Sequence, residues 1–183
     1  MTTSDAQLPA AAPLSPRLVF LVRALCGLGM LALLAVPAWF WTSPDTVRAL
    51  APQFGVQETT VDTRALQLGA LLSVPPVLLG LYTLWQLWRL FGEYAQGRVF
   101  GRPALLHLRR FAWALLGSAL LAPLVRALGS VVLTMGNPPG RRMLSIGLSW
   151  NDYLALLLAA VLIAIATVMA EAVRVAEDHQ GFV

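Results

Sequence analysis

Residues 151–170 read NDYLALLLAAVLIAIATVMA, and this stretch decides the fold. Past Asn151 and Asp152 no charged side chain interrupts it, and about 20 apolar positions is the length a helix needs to cross a bilayer core. Lipid offers no partner to a backbone N–H or carbonyl, so such a segment pairs its own backbone as a helix. A barrel strand would alternate polar and apolar residues over roughly 10 positions. This run does not alternate.

Three further stretches have the same character, at about residues 18–41, 65–90 and 111–135. The expected fold class is therefore an all-α membrane protein with four transmembrane helices. Residues 1–17, with Pro9, Pro13 and Pro16 among alanines, read as a flexible N-terminal tail. Residues 18–183 read as one domain whose last helix continues past the span through Glu171, Arg174 and Glu177. The first apolar run is too long for a signal-peptide core. It ends in Trp39, Phe40 and Trp41 rather than a small-residue cleavage site, so a retained first helix is expected.

Composition agrees. Of 183 residues, 58% are hydrophobic and 12% charged, about half the charged share of a soluble domain. That excludes a disordered tail protein and argues against a water-soluble globule. The 13 basic residues are all arginine, against 9 Asp and Glu, for a net charge of +4. They flank apolar runs rather than gathering on one face, so direct nucleic-acid binding is not expected. The single cysteine, Cys26, excludes an internal disulfide and any multi-cysteine metal site.

Orientation follows from where the arginines fall. With four spans, both termini and the middle loop share one side, which carries Arg17, Arg23, Arg89, Arg98, Arg102, Arg109, Arg110 and Arg174. The other side carries Arg48, Arg64, Arg141 and Arg142. The termini and middle loop are thus expected in the cytoplasm. Aromatic residues fit two interfacial belts: Trp39, Phe40, Trp41, Trp150 and Tyr153 outside, and Trp85, Trp88, Phe91, Tyr94, Phe111 and Trp113 inside.

Between the spans, Ser43-Pro44-Asp45 signals a short surface helix over residues 45–50. Residues 56–61 are β-branched and threonine-rich. Leu144, Ile146 and Leu148 alternate with Ser145, Gly147 and Ser149, which is strand period. A small extracytoplasmic cap in which these two segments pair as β-strands is expected, with an irregular loop as the alternative. On the cytoplasmic side, Gly97 suits a left-handed helix cap and Pro103 the first turn of a new helix.

Catalytic signals are missing from the sequence. Gly27-Leu28-Gly29 lacks the rest of a phosphate loop, and neither a zinc-protease histidine pair nor a nucleophile elbow is present. His107 and His179 are read as solvated. The span cores carry no Asp or Glu, which weighs against proton-coupled transport through a carboxylate. No metal or cofactor is implied, and an enzyme is not expected.

Two arginines are embedded. Arg23 is near enough to the headgroups to snorkel. Arg126 lies nine residues before Met135, roughly 13 Å from the outer end. A guanidinium there costs about 3 kcal/mol or more to insert unless acceptors surround it. Asp152 is the nearest charged candidate by depth, so an Arg126–Asp152 polar cluster is expected, either structural or part of a ligand site. Pro37, Pro75, Pro76 and Pro123 should kink their helices, with Ser73 and Ser118 available to bond the freed carbonyls. The alanines of span four suit a packed interior or a dimer seam. Arg98, Arg102, Arg109 and Arg110, offset by Glu93, form a candidate cytoplasmic interaction surface for a protein or anionic headgroups.

In this loop the chain resembles the bacterial domain-of-unknown-function 2975 family of small four-span membrane proteins. The resembling residues are Leu90-Phe91 to Tyr94, Gly97-Arg98-Val99-Phe100, Leu108-Arg109-Arg110, Asn137-Pro138-Pro139-Gly140 and the tail from Glu171 to Val183, over roughly residues 18–183. The resemblance implies a bacterial inner-membrane protein of no established activity, with a small helix-turn-helix regulator as a partner. The expected role is a non-enzymatic regulatory or interaction component. The alternative is an oligomeric transporter or channel subunit using the kinked spans and Arg126.

Overall fold

A computed structural model describes residues 15–54, 62–98, 101–138 and 144–180. Among these residues five α-helices run in order: α1 (Pro16–Thr42), α2 (Pro44–Leu50), α3 (Thr63–Ala95), α4 (Arg102–Thr134) and α5 (Trp150–Gln180), with a 3-10 turn, Ala51–Phe54, after α2. Four of them, α1, α3, α4 and α5 up to Val175, are long and apolar enough to cross a membrane. The expected spans are all present, each longer than its apolar core. This is a multi-pass membrane architecture.

The helix ends follow local chemistry. Pro16 and Pro44 occupy first-turn positions, where a missing N–H is harmless. The Asp62 carboxylate accepts the Thr63 N–H at 2.7 Å and caps α3. At the other end of α3, Gly97 adopts the expected left-handed conformation, φ 74°. The Gly97 N–H donates to the Tyr94 carbonyl and the Arg98 N–H to the Glu93 carbonyl, at 3.1 and 3.2 Å. That is the paired Schellman closure, and it turns the chain into α4 within a few residues.

The helices run through Pro37, Pro75, Pro76 and Pro123. A proline at position i releases the carbonyl at i−4, here Leu33, Leu71, Leu72 and Ala119. The Ser73 and Ser118 hydroxyls donate instead to Ala70 and Ala114, at 2.7 and 2.9 Å. The expected patching of freed carbonyls is therefore not what these serines do.

The spans stand in a row: α1 packs on α3, α3 on α4, and α4 on α5. Between α1 and α3, glycines admit large side chains of the opposite helix. A Cβ at Gly27 would meet Trp88 at 3.3 Å, one at Gly29 Leu84 at 3.0 Å, and one at Gly80 Leu33 at 3.0 Å. Small residues allow this close approach where lipid supplies no hydrophobic drive. On α5, Ala159 and Ala166 are buried while Ala160 and Ala164 are exposed, so only part of the alanine stripe is interior.

Two apolar clusters close the row. At one end, here the cap end, Val47, Ala51 and Leu133 are buried beneath Phe40, Trp41 and Leu66. The Trp41 ring lies where a Gly69 Cβ would be, 2.1 Å away. Phe40 and Trp41 thus pack into the cap instead of forming the expected aromatic belt, whereas Trp39 and Trp150 stay exposed. At the turn end, Leu90, Ala104, Leu108 and Ala166 join α3, α4 and α5.

The expected pairing of residues 56–61 with residues 144–148 is not seen among the described residues. Among the described residues there is no strand, and residues 56–61 lie outside them. Residues 144–149 carry no regular secondary structure, and their outward and inward residues have another cause. Ser145 donates its N–H to the Ser130 hydroxyl of α4 at 2.9 Å, and Ser149 turns inward to Asp152, leaving Leu144, Ile146 and Leu148 outward. Among the described residues the cap is built by α2 and the 3-10 turn.

Candidate functional site

Arg126 lies on α4, two turns before its end, and Asp152 in the first turn of α5. The structure brings them together: the Arg126 guanidinium donates through Nη2 to Asp152 Oδ2. A third residue completes the cluster. Ser149 donates its N–H to Asp152 Oδ2 at 2.7 Å and its hydroxyl at 2.9 Å. Its oxygen accepts the Asp152 N–H at 3.2 Å and Arg126 Nη1 at 3.4 Å.

This reciprocal pairing is a capping box with aspartate at the third helical position. Asp152 therefore closes the start of α5 and neutralises Arg126 at once. Ser149 was not singled out in the sequence, although Ser149-Trp150-Asn151-Asp152 before an apolar run carries that signature. Asp152 is 3% exposed. Arg126 is the more open partner, with 34% of its side chain exposed.

A second set of bonds lies further along α4. The Ser130 hydroxyl donates to the Ala127 carbonyl and accepts the Ser145 N–H, and the Thr134 hydroxyl donates to the Ser130 carbonyl. No buried side-chain polar atom is left without a partner among the described residues. A closed network of this kind fixes geometry.

At the turn end the expected arginine surface divides. The Arg98 guanidinium donates through Nε to Glu93 at 2.8 Å and is tied to its own turn. Arg102 stands on the first turn of α4. Arg109 and Arg110 are exposed and have no carboxylate partner among the described residues. They border a depression of about 490 Å³ with Leu106, Trp113 and Tyr82. Beside it His107, half-buried rather than solvated, lies 2.7 Å through Nδ1 from the Oε1 of buried Gln86. An amide oxygen only accepts, so Nδ1 carries the proton. The His179 side chain lies outside the described residues, and Arg174 is held by Glu171 at 2.5 Å.

A family model described as "Protein of unknown function (DUF2975)" matches residues 28–181. The chain belongs to the DUF2975 family. No match to a curated protein or to a solved structure was found. The match takes in α1 from residue 28 onward, the other three spans, the Schellman turn and the Arg126–Asp152 cluster. Other sites yield less. No group of three His, Cys, Asp or Glu able to hold a metal occurs among the described residues. Cys26 is buried in α1, where a thiol packs as a small apolar group. A lateral groove of about 570 Å³ between α1 and α3, lined by Pro37, Trp41, Gln67 and Ser73 among others, does not include Arg126.

Proposed function

We propose that this DUF2975 protein is a non-enzymatic regulatory or interaction component of the bacterial cytoplasmic membrane, with both termini and the α3–α4 turn inside the cell. One observation carries the reading: the charges at the two ends of the row are used differently. Arg126 is engaged by Asp152 and Ser149 at the cap end, while Arg109 and Arg110 stand exposed at the turn end beside Tyr82 and Trp113. Cations beside aromatic rings suit an acidic, partly apolar protein segment. The partner implied by the family resemblance is a small helix-turn-helix regulator. A second copy of the chain would find room along α5, where Ala160 and Ala164 are exposed. The alternative, a transporter subunit routed past Arg126, draws less support, because that guanidinium is taken up in a helix cap.

The test is co-purification in mild detergent from native membranes. Each near-surface cation contributes on the order of 1 kcal/mol, so Arg109→Gln with Arg110→Gln should weaken the co-purifying protein about thirtyfold. An unchanged set of co-purifying proteins would discard the reading. Orientation is checked separately with Gln96→Cys and Gly147→Cys in a Cys26→Ala background. An impermeant reagent on intact cells should label position 147 and spare position 96.

A further inference from the structure

Arg23 is the second embedded arginine, five residues inside the first span. Its guanidinium carbon sits 5.1 Å from the centre of the Trp88 ring of α3, the geometry of a cation–π contact. Trp88 reaches α1 because Gly27 has no side chain there; a Cβ would stand 3.3 Å from the ring. Unlike Arg126, Arg23 has no carboxylate partner among the described residues. A ring face offsets part of a buried positive charge but accepts no hydrogen bond through an oxygen, so the guanidinium's remaining N–H donors point to an outside acceptor.

Around this arginine lies a groove of about 820 Å³, lined by Phe20, Ala24, Gly27, Leu28 and Trp88 among others, running from Pro16 of α1 and Ala95 of α3 inward. From Pro16 to Leu28 is roughly 18 Å along the helix, comparable to one leaflet of a roughly 30 Å hydrocarbon core. Phe20 and Leu28 are 75% and 64% exposed. The groove thus joins a cation at headgroup depth to an apolar channel one leaflet long, open sideways to the bilayer. Arg17, six residues before Arg23, and Arg89, next to Trp88 in the chain, are exposed and add the same sign.

We propose that this groove binds an anionic phospholipid, its phosphate on Arg23 and one acyl chain along Phe20, Ala24 and Leu28. A phosphate oxygen supplies the acceptor that the Trp88 ring does not. The chain fills a crevice that would otherwise leave apolar walls loosely packed. The site is independent of the protein partner proposed above, which concerns Arg109 and Arg110.

The full chain, placed in phosphatidylcholine nanodiscs doped with phosphatidylglycerol, is released into native mass spectrometry and its bound lipids are counted. Phosphatidylglycerol should be retained over phosphatidylcholine. Arg23→Gln should weaken that retention about fivefold, the effect of one cation at an anionic surface. Arg23→Lys should keep most of it. Ala24→Trp, which leaves the cation and fills the channel, should weaken it too. Should Arg23→Gln fail to fold, the Lys and Trp variants decide. Unchanged phosphatidylglycerol retention in Ala24→Trp overturns the proposal. So does displacement of the lipid by inorganic phosphate alone, which would leave an anion site without a chain. A dimer that Ala24→Trp dissociates without altering the lipid count would assign the groove to a second copy and also overturn it.

Discussion

The cap end and the turn end of the same row of helices hold arginines in opposite ways. At the cap end Arg126 meets Asp152 and Ser149, and the nearby Ser130 and Thr134 hydroxyls are also bonded. At the turn end Arg23 rests on a tryptophan face, and Arg109 and Arg110 stand exposed. A guanidinium near the middle of a membrane helix must be matched within the protein. One at headgroup depth can leave donors for lipid or protein. The difference teaches that depth along the span, not residue type, separates structural from available charge in this chain.

The largest effect should come from breaking the matched end. Arg126→Leu strands a carboxylate that is 3% exposed, with only the Ser149 N–H and hydroxyl left to hold it among the described residues. Removing one partner of such a pair costs about 3 kcal/mol, read as a lowered thermal midpoint in detergent. Adding Asp152→Asn should restore more than half of the loss, because its amide oxygen can still accept the Ser149 N–H and no charge is stranded. Equal instability of the single and double variants would mean that something other than the ion pair is lost. Asp152→Ala should cost about 2 kcal/mol, combining a lost cap with an arginine that retains some access to solvent.

Next in size is the packing of the cap. A Cβ at Gly69 would lie 2.1 Å from the Trp41 ring, so Gly69→Ala must displace either the ring or α3. Overpacking of this kind costs about 2 kcal/mol. Trp41→Leu in the same chain should relieve the clash while opening the cluster above Val47 and Leu133. If Gly69→Ala is neutral, Trp41 moves freely and the cap is looser than its buried residues imply.

The spans were legible because an uninterrupted apolar run of membrane length has one backbone solution. The surface helix was legible from Ser43-Pro44-Asp45, the tight turn from Gly97, and the meeting of Arg126 with Asp152 from depth alone. Residues 144–148 are not a strand, and the segment expected to pair with them, residues 56–61, lies outside the described residues. A period of two does not supply a neighbouring strand, and here the Ser145 backbone N–H bonds Ser130 of α4 while Ser149 bonds Asp152. The glycine contacts between α1 and α3 depend on how the helices slide past each other, which no local pattern encodes. The same holds for Trp88 behind Arg23, since 65 positions separate them in the chain.

A smaller effect tests the turn end's own polar contact. Gln86 is 4% exposed and accepts from His107 across the α3–α4 contact. Gln86→Leu removes the acceptor and leaves a half-buried ring N–H unmatched. The loss should be about 1 kcal/mol, visible as a lower unfolding midpoint. If the midpoint holds, His107 has water access and the contact is incidental.

The smallest effect has the opposite sign and tests whether the turn end is open. Gly92 sits inside α3 one turn before its end, and a Cβ there would meet nothing within 4 Å. Glycine in a helix interior is unfavourable by roughly 0.5–1 kcal/mol relative to alanine, because the unfolded chain gives up more freedom. Gly92→Ala should therefore stabilise the purified protein by about 0.5 kcal/mol, a reduced gain because the last turn of a helix frays. The same substitution at Gly69 should do the reverse, so the pair compares the two ends with one change of chemistry. If Gly92→Ala raises the midpoint in detergent but weakens co-purification of a partner from membranes, the methyl lies under that partner. If it lowers the midpoint, the space beside Gly92 is already occupied and the turn end is not the open surface described here.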